Sequence, residues 1–262
     1  MLFFCHFSYT EQKDSYVWDL KPEYEKKKAG CILLIILLMV ISIWINETGT
    51  KTCQVSARGI AEMIAGQGML RLVEKSVDPP RAALTFDDGP GGSYTSCLLD
   101  GLKERNVKAS FFLLGEKIEQ YPELAERMQK EGHLIGNHTY HHVQLDKIGE
   151  IKAREEILKT NNLIYETTGI YPQYMRPPFG AWKKDLELCV EMLPVFWTID
   201  TLDWKVKNVE KIVDIVQNEI DDGAIILMHD EYDTSVEAAL EIIDKLRTMG
   251  YELVTVDQLI MP

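Results

Sequence analysis

After residue 45 the sequence lacks blocks of basic residues, and the whole chain has no CxxC pair. Its formal net charge at pH 7 is −13, and residues 46–262 carry the whole deficit because residues 1–28 hold equal numbers of lysines and acidic residues. Neutralisation of phosphates by Lys and Arg supplies most nucleic-acid affinity, so this balance argues against a nucleic-acid-binding protein. The five cysteines form an odd set. An odd set argues against a disulfide framework and predicts mainly free, partly buried thiols.

Charge is also missing from residues 29–45, AGCILLIILLMVISIWI, which follow three lysines at 26–28. At about 1.5 Å per residue this segment reaches roughly the lower limit for a bilayer-spanning helix. The lysines favour a cytoplasmic tail at 1–28, a single-pass transmembrane anchor at 29–45 and an extracellular position for the rest of the chain. A cleaved signal peptide is the competing interpretation, although no small-x-small cleavage site closely follows Ile45. A buried core helix is the third.

The remainder of the chain divides into a connector and one domain. Residues 46–79 are predicted to form an extracellular stem, and the prolines at 79 and 80 end it because proline disfavours a helix before it. Residues 80–262 are long enough for one α/β domain, and a hydrophobic content of 46% supports a sizeable core.

Strand-like and helix-like patterns alternate after residue 80, which predicts parallel βα units in a barrel or an open sheet. The strand-like apolar runs are 82–86, 109–114, 133–136, 173–176, 195–199, 224–229 and 252–256. The helical patterns are 94–105, 116–131, 148–168, 183–192, 209–221 and 235–249. Polar residues fall at or just after the strand ends, where active sites of parallel α/β folds collect. This coincidence favours an enzyme.

Two motifs suggest a catalytic metal site. TFDDGP at 85–90 places two adjacent carboxylates at a strand end, and HTYHH at 138–142 supplies His138 and His142 four positions apart. Two imidazoles and one carboxylate make a three-ligand site with an open position for water. On an extended backbone the two Asp side chains point in opposite directions, so one can ligate while the other acts as a base.

The histidine pairing has more than one solution in the sequence. His138 and His142 would share one face of a helical turn, and His141 offers a competing pairing with His138 at a spacing of three. His133 begins a strand-like run and is interpreted as structural. For TFDDGP alone, a solvated Asp-Gly-Pro turn is the simpler explanation.

Arginine and proline follow the fourth predicted strand in YMRPPFG at 174–180. Arg176 at the strand end is predicted to hold Asp87 as an oriented carboxylate, although a surface arginine above a turn would show the same pattern. Because Pro177 and Pro178 have no N–H, the next amide, that of Phe179, is a candidate oxyanion donor.

Two later motifs, DTLDW at 200–204 and LMH at 227–229, supply a candidate general acid. His229 ends an apolar strand, where packing does not explain an imidazole. Either Asp203 or Asp200 could keep His229 protonated. Taken individually, Trp204 and Leu227 are as well explained by core packing.

In this order, TFDDGP, HTYHH, RPPFG, DTLDW and LMH resemble the five motifs of the polysaccharide deacetylase family, the NodB-homology group of carbohydrate esterase family 4. The resemblance covers about residues 80–258. It implies a distorted (β/α)7 barrel and metal-dependent removal of acetyl groups from N-acetylglucosamine polymers. The family's metal-independent amidases are a poor match because all the ligand positions are filled.

Carried over position by position, the resemblance implies a role for each residue in these motifs. It makes Asp87 the general base, with Arg176 orienting it, and makes His229 the general acid, with Asp203 tuning it. The implied metal ligands are Asp88, His138 and His142, and the implied substrate-binding residues are Phe179, Trp204 and Leu227. Phe179 stands where the family commonly has tyrosine, but a backbone contact survives that change.

We therefore expect a zinc-dependent N-deacetylase, with Co²⁺ or another divalent ion as the alternative metal. A tethered extracellular domain would meet a cell-envelope polymer, and peptidoglycan N-acetylglucosamine is the expected substrate. Chitin oligomers, poly-N-acetylglucosamine and O-acetyl esters are the alternative substrates. The alternatives from other classes are a non-catalytic glycan-binding protein and a glycosidase that uses Asp87 and Asp88, whose adjacency fits poorly with two carboxyl groups flanking a sugar. No protein partner is evident.

Overall fold

The computed structural model describes residues 78–182 and 190–260. Within this part the chain forms one sheet of eight strands. In chain order they are β1 (Arg81–Asp87), β2 (Ser110–Leu113), β3 (Leu134–Asn137), β4 (Tyr174–Met175), β5 (Leu193–Pro194), β6 (Ile199–Asp200), β7 (Ala224–His229) and β8 (Glu252–Leu253).

Helices connect most of these strands. They are α1 (Ser93–Glu104), α2 (Gly115–Gln120), α3 (Pro122–Lys130), α4 (Glu150–Thr168), α5 (Asp203–Val206), α6 (Val209–Glu219), α7 (Asp233–Thr248) and α8 (Val256–Ile260). Short 3₁₀ helices occupy Leu145–Lys147 and Pro178–Gly180. The predicted helices at 94–105, 148–168, 209–221 and 235–249 are confirmed within two residues at each end. Most of the predicted helix at 183–192 lies outside the described residues.

Every ladder of the sheet is parallel, and the strand order is β5-β4-β3-β2-β1-β7-β6, with β8 pairing with β1. The predicted parallel α/β class is therefore confirmed, in the form of a half-barrel. Consecutive strands β5 and β6 stand at opposite ends of this path, and no ladder joins them within the described ranges. The central strand β1 carries the first motif and pairs with β7, which carries the last.

The alternation of side chains along the central strands determines which residues meet the helices and which meet the site. In β1, Ala82, Leu84 and Phe86 belong to the main core beneath the helices, while Ala83 belongs to a second cluster on the other face of the sheet. Because side chains alternate with a period of two, Asp87 shares that other face. In β7, Ala224, Ile226 and Met228 likewise join the main core, which leaves Leu227 and His229 on the face of Asp87.

The run at 195–199 does not form the single strand that was predicted. The Val195 N–H donates to the Met175 carbonyl of β4 at 2.8 Å, whereas the Thr198 N–H donates to the Ile225 carbonyl of β7 at 2.9 Å. The segment thus crosses from one end of the sheet to the other. It cannot continue one ladder while doing so, and the count of strands becomes eight where seven were predicted.

The predicted helix at 116–131 is divided into α2 and α3. Tyr121, between them, has φ −136° and ψ 57°, outside the helical region. It precedes Pro122, whose ring disfavours helical geometry in the residue before it, while proline itself is well tolerated at the first helical position. The hydrophobic pattern runs through this break because both helices pack on the same core.

Two predictions about the rest of the chain have different outcomes. Cys97 is free, as predicted, but exposed on α1 instead of partly buried, because its side chain points away from the sheet.

Contacts group Ser76–Pro262 as one unit. The predicted anchor at 29–45 and stem at 46–79 lie outside the described residues, apart from the last two positions of the stem. Among the helices that the structure describes, none has the length and apolarity needed to cross a membrane.

Candidate metal centre and active site

The first motif ends β1 and turns both of its carboxylates into one cavity. Asp87 is buried in the last position of the strand. Asp88 leaves the extended conformation with φ 69°, so its side chain does not point away from that of Asp87. The prediction of opposite directions was wrong for this reason. Both residues line a cavity of about 490 Å³ at the carboxyl end of the sheet.

The histidine motif is a loop and not the helical turn that its spacing suggested. Thr139 and His142 have φ values of 68° and 54°. Asn137, at the end of β3, shapes this loop, because its Oδ1 accepts the Thr139 N–H at 2.7 Å while its Nδ2 donates to the Ile157 carbonyl and to Asn161 Oδ1. A side chain thus replaces the backbone hydrogen bonds of a helix.

Three potential ligand atoms converge in the cavity. The Nε2 atoms of His138 and His142 lie 3.3 Å and 3.4 Å from Asp88 Oδ1, and one ligand atom from each of the three residues lies within 4.8 Å of the others. Ligands about 2.0–2.1 Å from a tetrahedral zinc ion would be separated by about 3.3 Å. The spacing therefore suits a single ion.

The protonation of these groups also suits a cation. His138 Nδ1 donates to the Arg176 carbonyl at 2.6 Å, which leaves a lone pair on Nε2. Asp88 Oδ1 is buried and has no hydrogen-bond partner among the described residues. When the imidazole is neutral, its Nε2 lone pair thus faces the Asp88 oxygen, and a bound cation would turn that repulsion into attraction. A metal-binding imidazole usually donates its other ring N–H to a carbonyl or a carboxylate, as His138 Nδ1 does here.

The pKa values of Asp88 and His142 favour ligand forms at neutral pH. Burial acts to raise the pKa of Asp88, but His138 together with the charges of His142 and His229 lowers it to about 2. Burial lowers the pKa of His142, so its imidazole is neutral and able to ligate. The site is therefore ready for a divalent ion without loss of a proton from these two groups.

The two other histidines of this region face elsewhere. His141 is exposed, and its Nδ1 lies 2.8 Å from Glu156 Oε1, so it does not compete with His142. His133 is buried, and its Nδ1 accepts the Ala109 N–H at 3.1 Å. Burial lowers the pKa of His133 to about 4. A neutral His133 that tethers the start of β3 agrees with its structural interpretation.

Arg176 is fully buried and contacts the first carboxylate. Its Nη1 donates to Asp87 Oδ1 at 2.8 Å and to Thr85 Oγ1 at 2.7 Å. Its Nε and Nη2 donate to the carbonyls of Val195 and Phe196. Burial lowers the pKa of Arg176, and Asp87 opposes that change. The surface-arginine alternative is therefore wrong, and Asp87 is held by one oxygen while its other oxygen lies 3.7 Å from His138 Nε2.

His229 lies across the cavity and is paired with Asp203. Its Nδ1 is 2.8 Å from Asp203 Oδ1, and its backbone N–H donates to Asp203 Oδ2 at 2.8 Å. Asp200 instead accepts the Leu202 N–H, so Asp203 is the partner of His229. Burial acts to lower the pKa of His229, but Asp203, with the charges of Asp87 and Asp88, raises it to about 9. His229 is thus protonated at neutral pH, and its Nε2 lies 3.9 Å from Asp88 Oδ2.

The remaining predicted residues line the same cavity. Leu227 is buried on the floor, whereas Phe179 and Trp204 are 66% and 49% exposed. Trp204 is therefore not a core residue. The Phe179 ring packs against His142 with 4.5 Å between ring centroids, and its backbone has φ 62°.

Sequence reasoning missed several residues of this cavity. Trp197, Glu231 and Tyr232 also line it, and Thr85 holds Arg176 from beneath. Glu231 and Tyr232 lie two and three residues after the LMH motif at a strand end, a position that could have identified them. Trp197 lies in the crossing segment, which the sequence did not distinguish from a strand.

The Asp203–His229 pair predicts a pH dependence of stability for the protein without bound metal. A histidine whose pKa is raised from 6.5 to about 9 on folding contributes stability that is complete below pH 6.5 and is lost as the pH rises through about 9. We expect the free energy of unfolding in urea, measured with chelator present, to fall over this range, and less so in Asp203→Asn. An NMR titration of the His229 ring with a wild-type midpoint near 6.5 would contradict the assignment.

Comparisons with known proteins agree with this geometry. A family model described as polysaccharide deacetylase matches residues 74–195. The peptidoglycan-N-acetylmuramic acid deacetylase PdaC of Bacillus subtilis is 44% identical over 188 residues, and the peptidoglycan-N-acetylglucosamine deacetylase PgdA of Listeria monocytogenes is 42% identical over 187 residues. Each match covers 71% of this chain, and the chain spans 40% of the length of each of these two curated relatives.

A solved structure gives the same result. The structure of the peptidoglycan deacetylase PdaC from Bacillus subtilis matches with a TM-score of 0.68 and 43% sequence identity. The match covers 70% of this chain and 90% of that one. With this identity over nearly the whole solved domain, the chain belongs to the polysaccharide deacetylase family.

Proposed function

We propose that this protein is a divalent-metal-dependent hydrolase that removes N-acetyl groups from N-acetylglucosamine units of peptidoglycan. One observation carries the proposal. The candidate ligands Asp88, His138 and His142 share one cavity with two polar pairs, Asp87–Arg176 and His229–Asp203. Such a cavity holds a carboxylate able to accept a proton and an imidazolium able to donate one, on either side of a metal position.

Asp88, His138 and His142 would hold the ion. Two nitrogens and one oxygen with an open coordination position suit zinc, and Co²⁺ is the alternative. When bound, the ion supplies Lewis acidity, which polarises the acetamide carbonyl and makes a water molecule more acidic. The other steps belong to the side chains of the chain itself.

Asp87 is the proposed general base. Arg176 holds its Oδ1, so the carboxylate has one orientation and its Oδ2 is directed toward the metal position. In that orientation Oδ2 accepts the proton of the attacking water. The guanidinium pairs with the carboxylate in the buried site, and it cannot itself donate the catalytic proton because arginine remains charged.

His229 is the proposed general acid. Asp203 accepts the Nδ1 proton, so the Nε2 proton of the imidazolium faces the cavity. That proton passes to the amine nitrogen as the C–N bond breaks, which yields acetate and a glucosamine unit. The Phe179 amide is the proposed second donor to the oxyanion, and loss of one such donor typically costs about 10²–10³ in rate.

The cavity also limits what enters it. Leu227 and Trp204 are the proposed walls of the pocket for the acetyl methyl group. Among the described residues that line the cavity, four carry carboxylates (Asp87, Asp88, Asp200 and Glu231), and none is a lysine or an arginine. N-acetylmuramic acid has an additional lactyl group, which carries the stem peptide in peptidoglycan and would have to fit beside these walls; where the peptide is absent, its free carboxylate would meet this negative lining. We therefore propose N-acetylglucosamine as the preferred unit, in agreement with the name of the Listeria relative and not with that of the Bacillus one.

Adjacent histidines provide a matched test of the ligand set. His142→Ala should abolish acetate release and weaken Zn²⁺ binding, since one of three ligands is lost. His141→Ala changes the preceding residue, whose ring faces Glu156, and should leave acetate release and Zn²⁺ binding near wild type. Acetate release from N-acetylglucosamine oligomers and calorimetric titration with Zn²⁺ measure the two effects. Equal behaviour of the two variants would refute the assignment, as would activity that survives Ala at all three ligand positions.

Product analysis tests the reaction and the substrate. Isolated peptidoglycan incubated with the protein should release acetate and gain an equal amount of free amine, and chelator should stop both. Labelling of the free amines with dinitrofluorobenzene before acid hydrolysis should then recover the label on glucosamine and not on muramic acid. Acetate without amine would indicate an O-acetyl esterase, new reducing ends a glycosidase, and glycan binding without any product a binding protein. Oligomers processed while peptidoglycan stays intact would indicate a chitin-like substrate.

We also propose that residues 29–45 anchor the catalytic domain outside the cell membrane, with residues 1–28 in the cytoplasm. The support is the charge-free apolar sequence behind Lys26, Lys27 and Lys28. Cells that express the full chain should retain it in the membrane fraction, and protease added to spheroplasts should digest the domain from outside. Release of a shortened protein into the medium would favour a cleaved signal peptide instead.

A further inference from the structure

A further buried carboxylate lies beside the site and has no role in the reaction described above. Asp230 follows His229 and is completely buried. Within the described part of the chain no lysine, arginine or histidine forms an ion pair with it, and its Oδ1 has no hydrogen-bond partner. Its Oδ2 accepts a hydrogen bond from Thr95 Oγ1. Burial raises the pKa of Asp230 to about 7, so this position costs free energy that packing alone does not explain.

Asp230 is in direct contact with the turn that follows β1. Gly89 packs so closely on it that a Cβ at position 89 would overlap the Asp230 carboxylate, and a Cβ at Gly91 would overlap the Asp230 carbonyl oxygen. No side chain fits at either position without displacing Asp230. The turn at 89–91 therefore lies directly on this residue.

Thr95 connects the two segments through its hydroxyl group. Its Oγ1 accepts the Gly91 N–H at 2.6 Å and donates to Asp230 Oδ2. Thr95 lies in the first turn of α1 and is fully buried. One hydroxyl thus uses its acceptor on the turn and its only proton on Asp230, so neither contact can change without affecting the other.

These hydrogen bonds of Thr95 lie just beyond the point where the sheet stops joining β1 to β7. The ladder between β1 and β7 ends with the pair Asp87–His229. The next residues, Asp88 and Asp230, have left the ladder, and Asp88 has a left-handed backbone. On the β2 side the Leu114 N–H donates to the Gly89 carbonyl at 3.1 Å, so the contact with Asp230 is what remains to hold the turn, and with it the proposed ligand Asp88, on the β7 side.

We propose that Asp230, acting through Thr95, is a positioning residue that holds the 88–91 turn against the end of β7 and so places the Asp88 carboxylate opposite His138 and His142. The inference rests on the proposed function for the role of Asp88 as a ligand. It requires only an acceptor at the position of Oδ2, so it is independent of whether Asp230 carries a proton. Asp230 is not among the described residues that line the cavity.

Substitutions of Thr95 test the connection with little change in volume. Thr95→Val removes the hydroxyl but keeps the shape, and it should lower the affinity for Zn²⁺ by about 10–100-fold, the usual effect of losing an outer contact to a metal site. Thr95→Ser restores the hydroxyl and should restore the affinity. Asp230→Ala should resemble Thr95→Val, while Asp230→Asn, which keeps an acceptor oxygen, should remain close to wild type. Calorimetric titration with Zn²⁺ measures all four.

Ser110→Ala is the matched control. Ser110 is equally buried, and its hydroxyl also accepts a backbone N–H, that of Val256, but at the amino end of β2. It should lose stability by a comparable amount and keep wild-type Zn²⁺ affinity. If Ser110→Ala weakened Zn²⁺ binding as much as Thr95→Val, or if Thr95→Ser failed to rescue, a general loss of stability would explain the data and the inference would be wrong.

Amide hydrogen exchange separates this inference from the proposed function. Thr95→Val and Asp230→Ala should accelerate exchange in a peptide that covers 88–92, relative to wild type and to Ser110→Ala, in the absence of metal. Unchanged exchange there would show that the turn is held by other contacts and would overturn the inference even in an active deacetylase. Accelerated exchange in a protein that binds no Zn²⁺ would leave the anchored turn standing and would contradict the proposed function together with the role of Asp88.

Discussion

The buried residue Arg176 is the constraint on which the site depends. Its side chain holds Asp87, its carbonyl oxygen accepts the proton of His138 Nδ1, and its backbone N–H donates to the Asn137 carbonyl. The proposed base, a proposed metal ligand and the strand before the histidine loop are thus fixed to one residue. Its Nε and Nη2 also hold the carbonyls of the segment that crosses the sheet.

Burial of this charge is tolerated because each of the three guanidinium nitrogens donates at least one hydrogen bond. The guanidinium contacts a carboxylate, a hydroxyl and two carbonyls, and it stacks over the Phe112 ring with 4.3 Å to the centroid. Loss of one partner would leave a buried charge without compensation, which typically costs about 3–5 kcal/mol. The same reasoning explains why the opposite side of the cavity uses a second ion pair. Asp203 is also buried, and its charge and hydrogen bond raise the pKa of His229, which therefore holds a proton.

Much of this arrangement could be predicted from residue patterns. The apolar run that contains Ala83, Leu84 and Phe86 places apolar side chains on both faces, which indicates a strand buried on both sides. The parallel fold then brings the ends of β1 and β7 to one edge of the sheet. Regular helices such as α6 follow from apolar residues at spacings of three and four. Family resemblance added the identity of His142 and Asp203, for which spacing left alternatives.

The remaining features depend on contacts between distant residues. The histidine loop is shaped by Asn137 and its bonds to α4, so a spacing of four residues did not mean a helix. The direction of Asp88 follows from a positive φ, which local propensity disfavours for aspartate but which the turn packed on Asp230 imposes. The segment at 195–199 resembles a strand in composition, yet Arg176 occupies its carbonyls. In each case a tertiary contact overrides a local preference.

The pairing of β1 with β7 has a consequence for how the protein is made. Asp87 and His229 are direct partners in the ladder although 142 positions separate them in the chain. A ribosome that has synthesised the first four motifs has therefore not yet produced the proposed proton donor, His229, and has left one side of the central strand β1 without its partner β7. Loops of this length close slowly. Catalytic competence and the last large gain in stability should arrive in the same late step of biogenesis, so a nascent chain has little opportunity to act before its fold is complete.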